Sequence, residues 1–499
     1  MDRLGEAVRT SYRTAFLDAL NEGRAKPLII PYSILGAPVI PTLWLTIPHT
    51  SRPWLYQTRW LVMAFVTCFN VHVTRTASST NFACARPQFE AARVIKVEAG
   101  AKKAGKSENG DWKTVTEIVH EDVLRQRKHN MDAVLHDKRD EANNENEYMW
   151  QTFPEKGTFL DRLGWALDLS LSFRGAGWNY SIASIPRPHI PRPIQPDSPV
   201  ITASITAKTA SGYTVPLSET ELLASRLTGI ASCYLILDFL SVQMMKDPYF
   251  ILGPHMSQPQ SHLILVYREC MSMVGIWAAI NALFSLSDLA QYYFLKTFFP
   301  SRAALWHYAS TFGSLAEIFN RGLAGWWGAW WHQTFRLEFL GPSTYLLQNG
   351  YIKRDSKVAD AVGLFSSFFQ SGLMHAAGSV SSIPDTKPWR PIVFFLLQSV
   401  GIALQQRLAL FLRSGLGTAP RIIRQLGNVL FCLAWLYMTA PFFIDDMAST
   451  GLWMLEPVPI SPLRCMGFGH PADRCWRWDR HHLPKWYKAK HWWEIGIAL

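Results

Sequence analysis

Residues 361–384 contain no Asp, Glu, Lys or Arg, and neither do residues 27–50 or 425–444. A helix needs about 20 mostly apolar residues to cross a hydrocarbon core, and runs this long are far commoner in membranes than in soluble cores. Further apolar stretches begin at Trp54, Arg226, Leu263 and Pro391. The pattern predicts an all-α polytopic membrane protein with roughly seven to eight transmembrane helices and additional interfacial amphipathic helices. The mean hydropathy near zero hides this, because apolar runs alternate with charged stretches.

The alternation divides the chain. Residues 1–26 mix acids and bases and read as an amphipathic segment, without the short apolar core of a cleavable signal. Residues 27–74 supply N-terminal membrane helices, the first interrupted by Pro31, Pro38, Pro41 and Pro48. Residues 75–158 are dense in charge and read as a polar loop, disordered in part, because such a stretch buries too little apolar surface to offset its ordering entropy. Residues 159–446 form the membrane core, and 447–499 read as a polar tail.

Among 499 residues, 21 Trp and 28 Phe are a large aromatic load. Trp favours the membrane interface, where its ring has an apolar body and a wet edge. The net charge of +11 is spread beside apolar runs. That distribution fits lipid headgroups and an anionic co-substrate, not a nucleic-acid groove. The seven cysteines show no disulfide framework. Cys465, His470, Cys475, His481 and His482 match no zinc spacing, and no metal site is expected.

Ionisable groups inside a bilayer are costly and mark function by default. Three stand out. His375 lies in the charge-free run 361–384, with Ser367, Ser371, Gly378, Ser379 and Ser382 on its helical face. A stripe of small polar residues suits a site for a thioester and an alcohol, and it equally suits close helix packing. His332 ends the sequence GLAGWWGAWWHQTF over residues 322–335, a stretch too short to span comfortably. It reads either as a headgroup anchor or as a hydrogen-bonding group behind a wall of tryptophans that includes Trp331. Asp238 falls in mid-span and reads as the partner of a base such as Arg268, or as a substrate contact.

Three segments together resemble the fungal wax-synthase-like acyltransferases of the membrane-bound O-acyltransferase (MBOAT) superfamily, over roughly 160–445. They are Arg174-Gly175-Ala176-Gly177-Trp178-Asn179, then Trp327 to Arg336, then Ser371-Gly372-Leu373-Met374-His375, with the two histidines 43 residues apart. Ala329 departs from the Arg common at that place, and Ala376 from the acid some relatives carry. The resemblance implies an MBOAT-like fold with His375 as catalytic histidine and His332 as a second polar residue of the site. It implies an acyl-CoA co-substrate, in the terpenoid-decorating branch acetyl-CoA, with no permanently bound cofactor. The acceptor would be a hydrophobic alcohol reached from the lipid bilayer of the endoplasmic reticulum, with long-chain wax ester synthesis as the alternative. Arg336, Gln333, Trp331 and Arg174 are the expected acyl-CoA contacts, and Ser371, Asp238 and Asn179 the expected substrate contacts. A transporter would explain the spans and the histidines, but paired broken helices in two matching halves are missing.

Overall fold

The computed structural model describes residues 2–49, 51–78, 124–128, 148–190, 194–254, 261–382, 385–412, 419–471, 473–478 and 484–498. Four of its helices are long and apolar enough to cross a membrane: α5 (Glu219–Met244), α6 (His262–Phe298), α8 (Trp389–Phe411) and α9 (Arg421–Thr439). Two further long helices, α3 (Arg59–Thr76) and α7 (Lys357–Val380), carry polar groups. The proline-rich run after residue 27 gives only a short apolar helix over Tyr32–Leu45, ending in α2 (Ile40–Leu45). Four helices thus meet the length and apolarity expected of a span, where seven or eight segments were expected. Leu235, Leu283, Leu404, Leu408, Leu430 and Leu433 lie exposed on the four apolar helices. Such rows belong against lipid, where backbone groups are satisfied within each helix.

Local chemistry sets the helix boundaries. Ser218 accepts from the Glu221 N–H to start α5, and Ser356 accepts from Ala359 to start α7. These caps satisfy amides that have no intrahelical partner. The amphipathic α4 (Phe159–Leu171) begins with a reciprocal pair in which Thr158 and Asp161 cap each other. The hydrogen bonds from Thr158 hold the Asp161 carboxyl below its usual range. α9 stops before Pro441, and a separate α10 (Pro441–Ser449) follows.

α5 and α6 form an antiparallel hairpin, tied by Arg226 to Asp288 at 2.9 Å and by Lys296 to Glu219. α7 and α8 pack closely. A Cβ on Gly372 would lie 2.7 Å from the Ile392 Cα, so only glycine allows that approach.

Two regions expected to be unstructured are folded in part. Within 75–158, β4 (Arg125–Lys128) pairs antiparallel with β5 (Tyr148–Gln151), and Arg125 and Gln126 are buried. Arg125 is matched by Asp168 at 2.6 Å, which offsets the cost of its burial. The lysine and glutamate clusters of 79–123 and 129–147 lie outside the described residues. Beyond residue 447, strands β6 (Lys485–Tyr487) and β7 (Gly496–Ala498) join β2 (Ile29–Ile30) in one sheet. The buried Glu456 carboxylate meets Arg9, Arg464 and Arg477 at 2.6–3.0 Å, and Asp473 pairs with the last two. Cys465 and Cys475, ten residues apart, form a disulfide, contrary to the sequence reading. The region is therefore a folded unit and not a tail. Its folding follows from charges that pair with one another, a property invisible to a count of charged residues.

Candidate active site

The aromatic stretch is a broken element held from all sides. It enters at Gly322, whose φ of +58° turns the chain, and forms a short helix over Leu323–Gly325 and one wide turn over Trp326–Trp330. Trp331 then leaves the helix in extended conformation. The freed backbone groups are claimed one by one. Gln405 on α8 accepts from the Leu323 N–H at 2.9 Å, Gly313 donates to the Trp330 carbonyl at 2.9 Å, and Tyr213 Oη donates to the Trp331 carbonyl at 3.0 Å. Irregular backbone at membrane depth persists only where protein satisfies it in this way.

This segment wedges its rings between α7 and α8. Trp327 meets Phe368 on α7 and Phe394 and Phe395 on α8, with centroids 5.9–6.2 Å apart, and its indole N–H donates to Gln398 at 3.3 Å. His375 on α7 stacks on Phe395 at 4.8 Å and 10°, with Phe443 edge-on at 4.9 Å. His332 is framed by Phe284, Phe312, Trp331 and Phe335 at 5.5–6.2 Å. The two imidazoles lie within electrostatic range of each other. Neither makes a hydrogen bond to a described residue, and the His332 Nδ1 is completely buried without a partner. Buried polar atoms are almost always paired, so the orphaned His332 Nδ1 is unusual, while His375 is half-buried. Two flanking rings fix the orientation of His375 in place of a carboxylate.

The remaining expected contacts divide. Ser371 sits one turn before His375, buried, with its hydroxyl bonded to no described residue. Arg336 is exposed, donates to the Gly328 carbonyl and to Gln333, and faces no acid among the described residues. Gln333 was expected at the co-substrate, but its amide donates to the Trp327 and Trp331 carbonyls at 2.8 and 2.7 Å, so it closes the wide turn instead. Arg174 donates to the Ser310 and Ala309 carbonyls at 2.7 and 2.8 Å and thus fastens the loop before the aromatic segment. Asp238 is corrected most clearly. Arg268 pairs with Asp247 through two hydrogen bonds at 2.6 and 2.7 Å, while Asp238 accepts from the Leu463 N–H at 2.9 Å. Asp238 therefore docks the C-terminal unit onto α5, which no local sequence signal indicated.

The Arg174–Asn179 turn serves the framework too. Asn179 donates its backbone N–H to Leu124, and Trp178 packs edge-on against Trp165 at 5.1 Å. Gly177 has φ +79°, and a Cβ there would meet the His307 ring at 2.7 Å. Burial holds that His307 imidazole down at about 4. Gln398 and Gln405, which grip the aromatic segment, were not singled out from the sequence. Two glutamines seven residues apart, on one face of an apolar span, were a readable signal.

Residues 308–397 match the membrane bound O-acyl transferase family model, a segment that holds both histidines. The chain is 25% identical over 297 residues to acetyltransferase ple2 of Rhodocybe pseudopiperita, covering 59% of this chain and 69% of that protein. It is 27% identical over 129 residues to acetyltransferase eriL of Hericium erinaceus, covering 25% of this chain and 33% of the relative. No solved structure matches the chain. Apolar helices long enough to cross a membrane, a matching segment that encloses the histidine pair and acetyltransferases among its relatives make the chain similar to the membrane bound O-acyl transferases and support an integral membrane O-acyltransferase.

Proposed function

We propose that this enzyme moves an acetyl group from acetyl-CoA to a hydroxyl of a hydrophobic alcohol of the terpenoid class, with His375 as general base. The observation that carries the reading is two imidazoles set among aromatic rings, neither hydrogen-bonded to a described residue, with the His332 Nδ1 fully buried. Acetyl as the transferred group is supported by the names of the two relatives.

The chemistry follows from the parts. His375, in its neutral form, takes the alcohol proton as the oxygen attacks the thioester carbonyl. A positioned base of this kind typically contributes about 10²–10⁴-fold. The carbonyl oxygen becomes an oxyanion, and the buried His332 ring donates an N–H to it. Collapse breaks the carbon–sulfur bond, and the CoA thiolate takes the proton back from His375. Ester and free CoA leave, with no covalent enzyme intermediate. The exposed Arg336 guanidinium, with no acid opposite it among the described residues, receives a CoA phosphate. The rings of Trp327, Trp331 and Phe395 exclude water and so limit thioester hydrolysis. The reading includes residence in the endoplasmic reticulum.

The test uses microsomes holding wild type or His375→Ala at matched expression, radiolabelled acetyl-CoA, and terpenoid and long-chain alcohols. Label in the organic extract that disappears in the variant supports the reading. Undiminished transfer by the variant would sink the role of His375, and preference for long-chain alcohols would replace terpenoid decoration with wax ester synthesis.

A further inference from the structure

A cavity of about 370 Å³ lies where α5 and α6 face the 310–315 loop. Its lining is mixed in a telling way. Trp277, Phe312 and Trp330 supply three aromatic walls, while Asn281, Ser285 and Thr311 supply polar groups. Asn281 and Ser285 stand one helical turn apart on α6, so both side chains reach the same space. Opposite them on α5 is Gly229, whose absent side chain leaves the space open. A Cβ there would sit 3.4 Å from the Ser285 hydroxyl and 3.9 Å from the Asn281 amide.

These polar groups are little used by the fold. The Asn281 amide has one weak contact, at 3.4 Å to the Cys233 sulfur, and the Ser285 and Thr311 hydroxyls make no hydrogen bond to a described residue. Arg226, at the edge of the cavity, is already paired with Asp288 and the Tyr308 carbonyl. The cavity thus offers neutral donors and acceptors without net charge, inside a membrane hairpin where an unpaired polar group is costly. Neutral polar groups among aromatic walls fit an apolar ligand with oxygen atoms at intervals, not an anion and not a plain hydrocarbon chain.

The cavity also borders the histidines. Phe312 lines it and meets the His332 ring edge-on at 6.2 Å, with Trp331 at 5.4 Å. One ring therefore separates this space from the imidazole proposed to stabilise the oxyanion. Ser285 lies one residue from Phe284, which touches His332 from the α6 side.

We propose that this cavity is the acceptor pocket, and that it selects an alcohol bearing at least one further oxygen besides the hydroxyl that reacts. Asn281, Ser285 and Thr311 hold that second oxygen, the aromatic walls hold the carbon skeleton, and the reacting hydroxyl passes Phe312 to reach the histidines. The assignment rests on the acyltransferase reading and adds the substrate class and the residues that choose it. A site built to hydrogen-bond an oxygen rejects the analogue lacking it, because its own polar groups are then left unpaired.

The experiment compares acetyl transfer by wild type, Asn281→Leu, Ser285→Ala and Gly229→Leu in microsomes. Terpenoid diols and keto-alcohols are offered beside mono-alcohols of the same skeleton and hexadecan-1-ol. The expected result is that wild type prefers the dioxygenated acceptors by tenfold or more in kcat/KM. Asn281→Leu and Ser285→Ala raise KM for them several-fold and shrink that preference, and Gly229→Leu abolishes their use. KM for acetyl-CoA stays unchanged in Asn281→Leu and Ser285→Ala, and Gly229→Leu elutes as monodisperse protein like wild type, which shows that the variants are folded. Equal use of mono- and dioxygenated acceptors, or an acceptor KM unaltered by all three variants, would overturn the pocket while leaving the acyltransferase reading intact. No transfer by wild type to any alcohol would overturn both.

Discussion

The histidine enclosure and the Glu456 cluster treat buried polarity in opposite ways. Around Glu456 every charge is matched: one carboxylate serves three guanidiniums, and Asp473 takes up two of them again. The His375 and His332 imidazoles instead make no hydrogen bond to a described residue and pack among aromatic rings. Both arrangements are expensive to bury, so each needs a compensating reason. A charge-matched cluster finds it in the fold, where it staples the C-terminal unit to α1 (Asp2–Asn21) and α5. An unsaturated pair finds none there, which is why it reads as a site waiting for ligand atoms.

That contrast can be broken by mutation. His375→Ala is expected to lower acetyl transfer by about 10²–10⁴-fold with little change in the melting temperature of the purified protein. A large fall in Tm instead would make His375 a packing residue. Glu456→Ala should do the reverse, because removing one partner from a buried ion cluster costs roughly 3–5 kcal/mol. Fluorescence-detected size exclusion would show loss of monodisperse protein, and normal yield would show that the cluster is not a staple. His332→Ala is expected to reduce kcat by about 10²-fold, the scale of a lost oxyanion donor, and His332→Asn to recover part of it. Equal rates for the two would remove hydrogen bonding from its role. The smallest effect belongs to Gln398→Leu, which loses the Trp327 and Thr439 contacts. A decrease of about 1 kcal/mol in stability with a modest loss of kcat would mark Gln398 as a positioning residue, whereas an unchanged kcat and Tm would leave the wide turn independent of Gln398.

The parts legible in the sequence were those with a local signature. The charge-free runs 361–384 and 425–444 announced α7 and α9, while the run 27–50 gave only a short helix, and the histidines stood out because they interrupt apolar surroundings. What escaped was set by partners far along the chain. Asp238 looked like half of a membrane ion pair, but its partner is a backbone amide 225 residues away. Arg174 and Gln333 looked like acyl-CoA contacts, yet both are occupied by carbonyls that only the tertiary fold presents. The residues after 447 looked like solvent-loving tail because composition registers charges and not their pairing. Asn281 and Ser285 went unnoticed for the converse reason: single polar residues in a long apolar helix give no pattern until a second helix brings Gly229 opposite.

The sheet that joins β2 to β7 and β6 also sets a clock. Ile29 and Ile30 find their strand partners only at Ile497 and Ala498, nearly the whole chain later. At about 5–20 residues per second, ribosomes leave that N-terminal edge unpaired for roughly half a minute to a minute and a half. During that interval the spans between must already be in the bilayer, so the last strand closes over helices that translation has long since delivered.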